Sequence, residues 1–206
     1  MQQSQLKPIL AFTFLLSACQ ADVYTTDIKE YYFTVEPRSE QNTQLFSVFF
    51  RKFNRQLAQH LGARQMRFLQ LTTSKTSDTS SIYVGDKSQY RRVELDGQEY
   101  QSVGKGRWER KSHIYSYGGL LLRRQKIIKN IYRMKLYFNS EYLYEWHNSN
   151  DYLTRQRAYT LFLHELGHGM LMQHHPDPDD VMYYRIDSAR KDIPSFMARV
   201  VKFLQR

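Results

Sequence analysis

Apolar side chains at Phe46, Phe49, Phe50, Phe53, Leu57 and Leu61 return every three or four residues, the spacing of one helix face. The pattern predicts an amphipathic helix over residues 40–61, closed by Gly62, with its aromatic stripe turned to the core. Ahead of it, Tyr31–Val35 is β-prone and runs into Pro37, which predicts a first strand ending in a turn. Further strands are expected at Met66–Thr72 and Ser81–Gly85, either side of a Ser/Thr-rich loop. Tyr90–Leu95 and Gln98–Val103 flank Asp96-Gly97, a two-residue hairpin signal. Gly104-Lys105-Gly106 reads as another turn, Ile114–Tyr117 as a strand before Gly118-Gly119 and an apolar run from Leu120, and Met134–Phe138 as the last strand. Asn148–Asp151 offers helix-capping side chains, which predicts a second long helix over 151–171 that turns Leu161 to the same side as its histidines. Ile193, Phe196, Met197, Val200, Val201 and Leu204 return at helical spacing and predict a final helix. No internal repeat and no Pro/Gly-rich linker divides the chain, so one domain is expected.

The second long helix carries the chemistry. His164-Glu165-Leu166-Gly167-His168 sets two histidines four apart, about 400° of rotation and one turn of rise. Their imidazoles share a face and can share a metal ion, while Glu165 sits beside that face, within reach of a water on the metal. Neutral imidazole suits zinc, three protein ligands leave a position open for water, and a carboxylate can relay that water's proton. The same five residues also occur by chance, with the histidines satisfied by backbone carbonyls in the core.

His174 stands six residues past His168; Pro176-Asp177-Pro178-Asp179-Asp180 then breaks the chain, and Val181-Met182-Tyr183 follows. The stretch resembles the metzincin zinc proteases, most nearly the matrixins. The resemblance implies His164, His168 and His174 as ligands of one catalytic Zn2+, Glu165 as general base, and Met182 as the Met-turn. It also implies an α+β, zincin-type domain: a mixed twisted sheet, a long helix, the HExxH helix, the Met-turn, and a C-terminal helix packed under the site. In that family a strand at about the place of Met134–Phe138 runs along the cleft and pairs with substrate. Tyr184 matches a tyrosine that binds zinc or steadies the oxyanion in the astacins; the competing reading is an ordinary tyrosine among 16. One position departs. The family glycine three residues after the second histidine is Leu171. Either Leu171 accepts a positive φ, at roughly 1–2 kcal/mol, or the third ligand comes from His175, Asp177, Asp179 or Asp180. No glutamate follows Glu165, which excludes enzymes whose third ligand is a downstream glutamate.

Met1–Ala18 holds one charged residue, Lys7, and an apolar run from Pro8 to Leu16, too short to span a bilayer and suited to the core of a signal peptide. Leu16-Ser17-Ala18-Cys19 resembles the lipobox of bacterial lipoproteins, and Cys19 is the chain's single cysteine. The resemblance implies a signal peptide at 1–18, a lipid-anchored tether at 19–27 and a catalytic domain at 28–206, in the bacterial cell envelope. Gln20 stands where an aspartate would favour the inner membrane, which points to the outer membrane. The competing reading is a plain secretion signal with an incidental cysteine. An acylated Cys19 leaves no thiol for a disulfide or a zymogen lock.

The formal charge is +10, and without Lys7 the chain keeps 29 basic against 20 acidic residues. That balance suits anionic lipid, lipopolysaccharide phosphate or an acidic substrate. Nucleic acid is not expected as a partner: Arg91-Arg92, Arg123-Arg124, Lys126 and Lys129 form no recognisable motif. A monomer is expected. Two functions remain. The first is a lipid-anchored zinc endopeptidase acting on protein or peptide, with specificity in the wall around Arg185–Ser188. The second is a catalytically silent metzincin-like lipoprotein serving as an envelope binding module, for which Glu165 has no use.

Overall fold

The structure, a computed structural model, describes residues 30–63, 67–76, 78–85, 92–95, 98–101, 104–117, 125–186 and 191–204. The signal peptide and tether expected at 1–27 lie outside these, as do Gly118-Gly119 and Arg123-Arg124. In chain order the elements are β1 (Tyr31–Glu36), α1 (Glu40–His60), β2 (Leu69–Leu71), β3 (Ser80–Gly85), β4 (Arg92–Leu95) and β5 (Gln98–Gln101). They continue with β6 (Gly104–Tyr117), β7 (Gln125–Asn139), α2 (Ser140–Asn148), α3 (Tyr152–Gly169) and α4 (Ile193–Leu204).

Ser39 starts α1 by accepting the Asn42 N–H at 3.1 Å, and Gly62 follows its end at φ +66°. The main sheet runs β2-β1-β3-β7-β6. Its first four strands are mutually parallel and β6 lies antiparallel at the edge. Parallel neighbours need a crossover, which α1 supplies between β1 and β2. Asn54 of α1 brackets the short β2, its side chain accepting the Leu69 N–H at 3.0 Å and donating to the Leu69 carbonyl at 2.9 Å. The strands expected either side of Asp96-Gly97 pair antiparallel, Leu95 opposite Gln98, as β4 and β5 apart from the main sheet.

Strand alternation puts Phe33, Val35, Ile82, Val84, Met134, Leu136 and Phe138 in the core. Tyr83 and Tyr137, side by side in register, occupy positions of the other parity and stack at 4.8 Å. The stripe of α1 meets α3 in an aromatic cluster: Phe162 lies 5.4 Å from Phe49 and 5.7 Å from Phe50, ring centre to ring centre. This cluster seats the histidine-bearing helix on the sheet. No helix among the described residues is long and apolar enough to cross a membrane.

Three expectations need correction. Gly104-Lys105-Gly106 opens β6 instead of turning the chain. Met134–Phe138 is the end of a 15-residue strand with partners on both sides, so its hydrogen bonds are already used and β6 is the edge strand. Helix α2 is not predicted at all; it starts where the Asn139 side chain accepts the Glu141 N–H, and its Tyr142, Leu143, Tyr144 and Trp146 favour strand by composition. From Trp108↔Met134 to Tyr117↔Gln125, β6 and β7 pair only with each other and form a two-stranded ribbon outside the five-stranded part.

Candidate metal centre

Asp151 caps α3 by accepting the Thr154 N–H at 2.6 Å, and from Ala158 onward the helix is buried on nearly every side, Leu161 included. His164 Nδ1 lies 2.8 Å from the Val181 carbonyl oxygen, and His168 Nδ1 lies 3.0 Å from that of Met172. A carbonyl only accepts, so both Nδ1 atoms carry the proton and both Nε2 atoms present a bare lone pair. Burial pushes His164 down to about 3 and His168 in the same direction, which keeps both rings neutral near pH 7.

The Nε2 of His168 lies 3.1 Å from that of His164 and 3.2 Å from that of His174. One ligand atom from each of the three falls within 4.8 Å of the others. Tetrahedral zinc with Zn–N of about 2.0–2.1 Å sets neighbouring nitrogens roughly 3.3 Å apart. Two lone pairs facing each other with no proton between them repel, and a cation at their centre removes the repulsion. The donor set fits zinc.

His174 reaches the group because α3 ends tightly. Met172 N–H donates to the Gly167 carbonyl at 2.9 Å and Leu171 N–H to that of His168 at 3.0 Å, the two bonds of a Schellman motif. Leu171 occupies its left-handed position, with φ +65°. The leucine therefore adopts the conformation expected of the missing glycine. The substitute ligands stay outside the group: Asp180 pairs with Arg199, Asp177 accepts the Asp179 N–H at 2.9 Å, and His175 Nδ1 faces Asp177 N–H at 3.3 Å. His60 is exposed and His147 packs its ring on Phe49, so neither joins; the side chain of His113 lies outside the described residues.

Glu165 is 4% exposed. Burial pushes its carboxyl up to about 8, opposed by a hydrogen bond from the Gly106 N–H. Its Oε2 is buried with no partner among the described residues. The edge strand lies directly on it: a Cβ at Gly104 would come within 2.5 Å of Oε1, and one at Gly106 would run into the Glu165 carbonyl. Sequence reading missed these two glycines; their signal was a Gly-x-Gly step at the mouth of a strand, which marks close backbone approach. Met182 is fully buried beneath the helix, where a Cβ on Gly167 would strike its Sδ and come within 3.1 Å of the Phe196 ring. Met182 and Phe196 of α4 thus lie against the same face of α3 at Gly167. Tyr184 is 37% exposed and packs its ring 4.5 Å from that of Tyr183. Of the expected specificity wall, Arg185 and Ile186 are described and 187–188 are not.

No family model and no curated protein sequence matches the chain. Among solved structures, an archaemetzincin from Methanopyrus kandleri is similar with a TM-score of 0.44 and 12% identity, over 86% of this chain and 97% of that one. A likeness that loose decides nothing about the chemistry, which rests on the geometry above.

Leu171 is 54% exposed, so its side chain gives little in return for the backbone conformation. Leu171→Gly should raise stability by about 1 kcal/mol, or about 2–4 °C in melting temperature, with metal uptake unchanged. A melt at or below wild type would show that Leu171 is not strained.

The metal-free chain should also lose stability between pH 7 and 8. There the folded state keeps Glu165 protonated while the unfolded state, with an ordinary carboxyl, has lost that proton; the unfolded state binds fewer protons, so stability falls as pH rises. His164 and His168 stay neutral in the folded state, while each unfolded imidazole sheds about a quarter of a proton over this window, an opposing rise of about 0.3 kcal/mol in total. Glu165 alone should contribute a drop of about 1 kcal/mol, and Glu165→Gln should remove it and leave the small rise. Chemical denaturation in chelator at both pH values checks this, and identical slopes for the two proteins would contradict it.

Proposed function

We propose that this chain is a zinc-dependent endopeptidase, matrixin-like in its site, anchored in the outer membrane of the bacterial envelope by lipid on Cys19. The carrying observation is the convergence of three Nε2 atoms on one point, two of them bare by virtue of carbonyls behind the rings, on a helix that also carries the buried carboxyl of Glu165. His164, His168 and His174 would hold the ion. Zinc there would supply polarisation of the scissile carbonyl and acidification of a water. Glu165 would take a proton from that water and pass it to the leaving amine, a dication held by the neighbouring histidines favouring its ionised, basic form. Gly106 N–H orients one carboxylate oxygen and leaves Oε2 for the proton. Tyr184, two residues after Met182, is the candidate for steadying the developing oxyanion.

The binding-module alternative leaves Glu165 unexplained. Burying a carboxyl oxygen without a partner costs stability, and a protein that only binds has no need of it. The decisive experiment uses the chain from Gln20 onward and a denatured protein substrate. About one zinc per chain is expected, with cleavage abolished by chelator and restored by zinc. Glu165→Gln should keep the zinc and lose cleavage by about 100-fold or more. A chain that takes up no zinc, or a Glu165→Gln variant with full activity, would refute the peptidase.

Anchoring is tested separately. Mass spectrometry of the N-terminal peptide of membrane-isolated full-length protein should show acyl chains on Cys19. An unmodified Cys19, or cleavage elsewhere, would leave a secreted enzyme.

A further inference from the structure

The turn behind the histidines is itself clamped. Asp180 is 4% exposed, and Arg199 on α4 donates to both its oxygens: Nη1 to Oδ2 at 2.7 Å and Nη2 to Oδ1 at 2.6 Å. This two-pronged geometry fixes orientation as well as distance, which a lysine cannot do. Asp180 Oδ1 also accepts the Met182 N–H at 2.6 Å. Two residues of the same turn then address two of the three histidines. The Val181 carbonyl accepts the His164 Nδ1 proton, and the Met182 carbonyl accepts the N–H of His175, the neighbour of His174, at 2.9 Å.

On the zinc reading above, we propose that Arg199 and Asp180 are positioning residues, through which the C-terminal helix sets the orientation of His164 and His174 toward the metal. Neither side chain would touch substrate or the reacting atoms. Their effect passes through the Val181 and Met182 carbonyls. A buried ion pair is a weak source of stability, since apolar residues of similar volume often replace it without loss. What they cannot replace is the fixed direction of the turn. Other bonds keep α4 attached without the pair: Asp192 N–H donates to the Asp179 carbonyl at 2.7 Å, and Phe196 and Val200 are fully buried. Loss of the pair therefore loosens the turn and leaves the fold standing. Ligand-orienting groups of this kind change metal affinity by about 10–100-fold.

The test compares wild type with three variants. Arg199→Met combined with Asp180→Asn removes the pair without stranding a charge. Arg199→Lys keeps the charge and loses the fork. Val200→Ala, on the same helix, lowers packing and leaves both members of the pair in place. Zinc affinity is read by competition with a chromophoric chelator, and ligand geometry by the visible spectrum of the Co2+-loaded protein. Metal-free melting reports stability. The double variant should bind zinc at least about tenfold more weakly and show an altered Co2+ spectrum, with Arg199→Lys intermediate. Val200→Ala should melt lower yet keep wild-type affinity and spectrum. If the double variant does not fold, Arg199→Lys carries the same comparison. Wild-type affinity and spectrum in the pair variants would overturn the proposal, as would an equal loss of affinity in Val200→Ala. A wild-type chain that takes up no zinc overturns the zinc reading and this inference together, whereas a binding wild type with unaffected variants overturns this inference alone.

Discussion

Two backbone carbonyls, those of Val181 and Met172, take the Nδ1 protons of His164 and His168, and the rest of the site depends on that. With the protons there, the Nε2 atoms face inward bare, and the pocket they form is repulsive to itself and attractive to a cation. The surroundings maintain the condition. Burial keeps both rings neutral, and the aromatic contact between α1 and α3 keeps the helix where burial is possible. A charged imidazole at either position would undo the arrangement from within.

Each carbonyl comes from a segment that must itself be held. Met172 is placed by the closing turn of α3, through a leucine in a conformation that glycine adopts freely. Val181 is placed by the turn over Met182, which packs against Gly167 and Phe196. The site is thus assembled from one rigid helix and two short returns of the chain onto it. Backbone strain sits at the first return and a buried charge pair at the second, while the helix between them obeys ordinary rules.

What the sequence made legible follows the same division. Helices α1 and α4 were visible because each repeats its apolar residues at helical spacing, α3 because capping side chains at Asn148–Asp151 precede histidines set one turn apart, and Asp96-Gly97 announced its hairpin. His174 was visible because it lies close along the chain, and the structure places it beside His168. The surroundings of Glu165 were not, because the strand that covers it is distant in sequence and Gly104-Lys105-Gly106 is locally indistinguishable from a turn. The reach of β6 and β7 was hidden for a related reason: no strict alternation of apolar and polar residues marks the paired stretch from Trp108 to Tyr117. Leu171 shows the limit in the other direction: its type left open whether a leucine would take a positive φ, and only the backbone shows that it does, at +65°. Asp180 was weighed as a ligand; only the position of α4 shows that its charge is already engaged.

The free edge of β6 has a consequence for the behaviour of the molecule in a crowd. Apart from the Gly106 N–H, which meets Glu165, a long strand paired on one side among the described residues offers backbone donors and acceptors as a template for another copy of itself. Charge is the usual guard against such stacking, and the near half of β6 has it in Lys105, Arg107, Glu109, Arg110 and Lys111. From Ser112 to Tyr117 charge comes from the partner strand instead, with Lys129 in register with His113 and Lys126 with Ser116. The paired strands thus carry basic residues along their whole described length, and like charge works against one copy stacking on the next.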